Sequence, residues 1–142
     1  KLDAVKHKPS LSSLKRKKLP SLAKLKRDLD KKFSLFIRRR DANESGHGLC
    51  ITCGEFRLLQ AGHFVPRQYL ATRWLETNAH GQCAMCNCWG HGEQAEYYKA
   101  LVKKYGKLVP DGLLLLKHTT VKMTREDYAD LLARYTQEPQ DK

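Results

Sequence analysis

Residues 49–87 read LCITCGEFRLLQAGHFVPRQYLATRWLETNAHGQCAMCN. Two Cys-x-x-Cys knuckles, Cys50/Cys53 and Cys83/Cys86, bracket this stretch with 29 residues between them. Tetrahedral zinc takes four soft ligands, and one such turn presents two thiolates to a single ion. Two turns in a chain without a visible secretion signal point to metal rather than to disulfides. A closed four-cysteine site leaves no position for water, so the expected zinc is structural. The intervening loop is longer than a simple zinc ribbon requires, which implies that something else is built inside it. Cys88 is a fifth thiol that could replace a ligand, with a spare buried or reactive cysteine as the favoured reading.

Inside and just beyond the bracket stand His63, Asn78 and Asn87. Short strands are expected around Phe56–Leu59 and His63–Val65. Upstream, Ser21 follows Pro20 and is placed to cap a helix running to about Arg40. Its apolar stripe is Leu22, Leu25, Leu29, Phe33 and Phe36 at helical spacing, expected to pack on the domain in preference to a two-heptad dimer seam. Downstream, Tyr97, Leu101 and Tyr105 mark a helix over Gln94–Tyr105 stopped by Gly106. Pro110-Asp111-Gly112 reads as a turn, and Leu113–Leu116 as a buried helix or strand. Thr124 with Asp127 forms a capping-box pattern opening a last helix, lined inside by Tyr128, Leu131, Leu132 and Tyr135.

The formal net charge is +12, and it is one-sided. Residues 1–40 hold 15 of the 27 Lys and Arg but 3 of the 15 Asp and Glu, so the remaining 102 residues are neutral. Such asymmetry favours a polyanion, here nucleic acid, over a merely solvated tail. The cations read as DNA contacts are Lys15, Arg16, Lys17, Lys18, Lys24, Lys26, Arg27, Lys31, Lys32, Arg38, Arg39 and Arg40, with Arg67 and Arg73 as phosphate clamps near His63 or as ordinary surface charges. Trp74 and Trp89 are expected in the core, with stacking on unpaired bases as the other reading. No apolar run approaches a membrane span, and Pro9, the lysine run and Pro20 interrupt any signal peptide. Starting at Lys1 leaves room for an upstream segment. Residues 1–28 are read as a flexible or partly helical basic arm, 29–136 as the domain and 137–142 as a frayed tail.

The order first Cys pair, His63, Asn78 five residues before Cys83, and Asn87 directly after Cys86 resembles the zinc-bound HNH nucleases, as an H-N-N variant. The resemblance implies an α+β fold: a small zinc-stabilised ββα-metal core flanked by N- and C-terminal helices. It also implies His63 as the general base that activates water, Asn78 as the group orienting it, and Asn87 as a ligand of one divalent ion, Mg²⁺ or Mn²⁺. Gly62 stands where many members carry an acidic ligand. His80, His91, Glu93 and Glu96 are the candidates to complete the shell, with His91 favoured.

The segments KKFSLFIRRRDAN, LCITCG, QAGHFVPR, TRWLETNAHGQCAMCN and TTVKMTREDYADLL further resemble the NinG family of lambdoid phages, the Rap recombination proteins, over about Leu29 to Tyr135. That resemblance implies a structure-specific endonuclease acting on branched DNA such as Holliday junctions and D-loops, in the cytoplasm of an infected bacterium. A two-fold symmetric junction would favour a homodimer. The rival reading is a non-catalytic zinc module that binds DNA or RNA as a recombination accessory. A protein-interaction zinc domain is a third, but it leaves the charge asymmetry unexplained.

Overall fold

The computed structural model describes residues 18–137. Lys15, Arg16 and Lys17, and most of the expected tail, lie outside the described residues. The fold is mixed α+β: helix α1 (Leu22–Asp41), strands β1 (His47–Leu49), β2 (Phe56–His63) and β3 (Ala79–Cys83), then helices α2 (Gln94–Tyr105), α3 (Leu108–Leu116) and α4 (Arg125–Thr136). The strands form an antiparallel sheet in the order β1-β2-β3. No described helix is long and apolar enough to cross a membrane.

Ser21 caps α1 as expected, its hydroxyl accepting the Lys24 N–H. The helix runs unbroken across the expected 28/29 boundary between arm and domain. Its buried residues fall every fourth position, at Leu25, Leu29, Phe33 and Ile37, so Ile37 belongs to the stripe, Phe36 is half-buried and Leu22 is exposed. This face packs on Trp74, Ala79, Tyr128 and Tyr135, which ties the first helix to α4. The stripe is therefore occupied within the chain, and a dimer seam along it is not available.

Two short strands were expected where one eight-residue strand forms. β2 runs through to His63, and Phe64 and Val65 leave the sheet to become buried against Tyr97 and Leu101. β1 and β3 carry no β-branched residue, which is why sequence pattern passes over them. The expected turn at Pro110-Asp111-Gly112 is instead part of α3, with Pro110 in the first helical turn, where its missing N–H costs nothing. Leu113–Leu116 accordingly resolves as helix. α2 ends at Gly106, whose φ of 86° no L side chain adopts easily. The Thr124/Asp127 capping box is present in both directions, and Tyr128 and Tyr135 are the buried residues of the helix it opens.

Candidate metal centre and adjoining cleft

The sulfurs of Cys50, Cys53, Cys83 and Cys86 lie within 4.8 Å of one another. Cys83 ends β3 and Cys50 follows β1, so pairing both strands to β2 brings the knuckles together. Four sulfurs held about 2.3 Å from one zinc stand roughly 3.8 Å apart, and Cys53 Sγ is 3.9 Å from Cys83 Sγ. Burial pushes the Cys50 thiol up, but N–H donors from Cys53, Cys83 and Thr52 and the Thr52 hydroxyl outweigh it and leave the thiol at about 6. Burial and the neighbouring thiols push Cys86 up to about 12. A cation among the four would hold all of them as thiolates. The donor set and spacing fit a structural metal such as zinc. Cys88 is exposed and outside this group. Among the described residues no other group of three or more Cys, His, Asp or Glu side chains converges in this way.

Beside the knuckle opens a cleft of about 480 Å³, whose lining includes His63, Asn87, His91, Arg38, Arg67 and Gln60. His63 ends β2, half-buried, with Nε2 2.9 Å from the Arg73 carbonyl oxygen. A carbonyl only accepts, so Nε2 carries the proton and a neutral ring leaves Nδ1 as a free acceptor. Burial lowers the His63 pKa to about 4, helped by Arg67 and Arg73 and opposed by the Arg73 carbonyl and Asp30. The ring is thus neutral near pH 7.

Asn87 follows Cys86 in a single wide helical turn, Met85–Trp89. Its Nδ2 donates to Gln60 Oε1 at 2.8 Å, which leaves its Oδ1 available. His91 is exposed on a loop of three successive left-handed residues, His91 (φ 52°), Gly92 (φ 86°) and Glu93 (φ 48°). Two of these are not glycine, so the loop holds backbone strain beside the cleft. It is fastened by the Gly92 N–H to the Cys86 carbonyl (2.9 Å) and by Gln82 Nε2 to the Gly92 carbonyl (2.9 Å).

Asn78 does not reach the cleft. It is fully buried, its Oδ1 accepting the Val65 N–H (2.8 Å) and its Nδ2 donating to the carbonyls of Val65 and Thr72 (both 3.0 Å). Both polar atoms of the side chain are engaged in pinning the loop that follows His63, away from the cleft. His80 also lies elsewhere. Tyr97 donates its hydroxyl hydrogen to the Gly62 carbonyl (2.9 Å), so it accepts from His80 Nδ1–H (3.1 Å), and His80 Nε2 accepts from the Tyr105 hydroxyl (2.8 Å). Both ring nitrogens are engaged, so His80 cannot complete a metal shell here.

Gly62 has a packing explanation that sequence could not supply. A Cβ at this position would sit 2.2 Å from Gln82 Oε1, inside contact distance. Gln82 is fully buried, and its Oε1 has no hydrogen-bond partner among the described residues. An acid at position 62 would displace the very side chain that ties the His91 loop down.

The expected DNA-contacting cations divide. Lys18, Arg27, Lys31, Lys32, Arg38, Arg39 and Arg67 are exposed, Lys26 is half-buried, and Lys24 pairs with Asp28 at 2.7 Å. Arg40 chelates the Asp41 carboxylate and donates to the carbonyls of Glu76 and Ala79. Arg73 chelates Asp30 (2.9 and 2.6 Å) and donates to the Arg67 carbonyl (2.7 Å). Both guanidiniums are engaged inside the chain and are not free phosphate clamps. Trp74 is buried, donating to Asp30, but Trp89 is 75 % exposed, so the expected core position is wrong for Trp89.

One family model, that of the bacteriophage lambda NinG protein, matches the chain over residues 3–141. The chain belongs to the NinG family. The match takes in the basic stretch before Leu29, which charge alone had marked out. Membership points to a phage recombination-related protein. No curated protein and no solved structure matches the chain.

Proposed function

We propose that this NinG-family protein is a metal-dependent endonuclease of HNH type acting on branched DNA. The observation that carries the reading is the cleft beside the zinc knuckle, where His63 offers an unprotonated Nδ1 among Asn87, His91, Arg38 and Arg67. His63 is the general base, removing a proton from the attacking water through Nδ1 while the Arg73 carbonyl fixes its tautomer. Arg38 and Arg67 supply positive charge for the phosphate. Asn87 Oδ1 and the His91 ring would hold a divalent ion, Mg²⁺ or Mn²⁺, which stabilises charge on the scissile phosphate and leaving oxygen when bound. Two side-chain ligands suit an ion that keeps several of its waters. The exposed cations of α1 and the basic residues before it would contribute the salt-dependent part of the affinity.

One observation favours the rival reading of a non-catalytic DNA-binding module: no carboxylate lines the cleft among the described residues. The two separate in one experiment. Purified protein and His63→Ala are incubated with labelled four-way junction and linear duplex, with Mg²⁺, Mn²⁺ or neither. Junction-selective, metal-dependent nicking lost in the variant is the expected result. Tight junction binding with no nicking under either metal would leave the accessory reading.

A further inference from the structure

Two tryptophans lie in this chain, and the structure treats them oppositely. Trp74 is buried, its indole N–H donating to Asp30 at 3.0 Å and its ring packed edge-on against Tyr128. Trp89 is 75 % exposed, and among the described residues its indole neither hydrogen-bonds nor stacks on another ring. A buried Trp satisfies both its apolar body and its N–H, and Trp89 satisfies neither. Trp89 does not itself line the cleft, but its chain neighbours do. It stands between Asn87 and His91, which both line the cleft. The turn that carries it, Met85–Trp89, contains the metal-site residue Cys86, and the Gly90 N–H closes the turn on the Met85 carbonyl at 2.7 Å. Met85, one turn earlier, is 59 % exposed. The ring is thus carried on a hydrogen-bonded turn, so ordering it on a ligand costs less conformational entropy than ordering an open loop.

We propose that Trp89 is a stacking platform for an unpaired or splayed base at the branch point of the DNA, and so selects branched over linear substrate. The proposal rests on the cleft being the DNA-facing surface. An aromatic face takes any base, but only one that has left its neighbours, and a continuous duplex offers none except at its ends. Arg38 and Arg67 line the cleft together with Asn87 and His91, the chain neighbours of Trp89, and their charge complements phosphate, which favours nucleic acid over an apolar protein surface as the occupant of Trp89.

The test uses the full chain without added divalent metal, so that binding is read apart from cutting. Four-way junctions carry 2-aminopurine at the branch point, and linear duplex of the same sequence serves as the reference. Trp89→Ala should weaken junction binding about ten-fold while leaving duplex binding unchanged. Trp89→Phe should recover most of that loss, which a purely structural role would not require. Wild type and Trp89→Phe should quench the 2-aminopurine signal, and Trp89→Ala should not. Equal losses on junction and duplex, or a 2-aminopurine signal indifferent to Trp89, would overturn the proposal. Self-association that depends on Trp89 in sedimentation, with no 2-aminopurine response, would also overturn it and assign the ring to a protein contact. Nicking is measured separately with Mg²⁺, so failure to cut would sink the nuclease reading and leave the stacking result standing.

Discussion

His63 Nε2 donates to the Arg73 carbonyl oxygen at 2.9 Å, so the neutral ring keeps its basic Nδ1 free and not its N–H. Burial holds the pKa at about 4. A base in this state is already deprotonated at neutral pH, and activity should stay level on acidification until well below the ordinary histidine range. The pH–rate profile of junction cleavage should therefore show its acid limb near 4 to 5. A limb at about 6.5 would mean that His63 titrates as a solvated imidazole and that the cleft opens in solution.

Asn78 and Asn87 should separate stability from activity. Asn78→Ala removes three buried hydrogen bonds and leaves the Val65 N–H without a partner, costing about 3 kcal/mol. Asn87→Ala removes one partly buried bond and should cost under about 1 kcal/mol while abolishing metal-dependent nicking. Urea unfolding of the two variants, set beside nicking rates, checks both halves.

The metal centre should hold one zinc per chain. Cys83→Ser, at the buried end of β3, should lose the metal and the folded sheet with it, read by metal analysis and circular dichroism. Cys88→Ser should leave metal content unchanged, because Cys88 stands apart from the four sulfurs.

Gly62→Asp should not create a better metal site. The new Cβ meets Gln82 Oε1 at 2.2 Å, and the tether from Gln82 to the Gly92 carbonyl must give way. The expected result is a loss of about 1–3 kcal/mol in stability with no gain in Mn²⁺ affinity. Tighter Mn²⁺ binding by a fully stable variant would show that the acid reaches the cleft.

His80 should make the fold acid-sensitive. Burial, aided by Arg40 and Lys104 and opposed by Asp41, lowers its pKa to about 4, whereas the unfolded chain titrates it near 6.5. Between those values the unfolded state binds more protons, so stability rises with pH. It is fully present above about 6.5 and is lost as pH falls toward 4, on the order of 3 kcal/mol in all. His80→Gln should flatten the dependence of Tm on pH across this window. An unchanged slope would assign the acid sensitivity to other groups, His63 among them.

Sequence by itself determined the paired Cys-x-x-Cys knuckles, the capped first and last helices and the charge asymmetry. These are local signals: ligand spacing, a capping pair three residues apart, and helical periodicity each lie within one stretch of chain. Membership in the NinG family was legible for the same reason, since a family pattern is a one-dimensional order of residues. Only the tertiary structure decided which polar residues face the cleft. Asn78 and Asn87 are chemically alike and both well spaced, yet packing buries one beneath the loop after His63 and leaves the other at the cleft. The two tryptophans part in the same way, and so do Arg67, exposed at the cleft, and Arg73, chelating Asp30 from 43 positions away. Each of these outcomes depends on a partner distant in sequence, and side-chain burial is set by what the folded chain brings alongside.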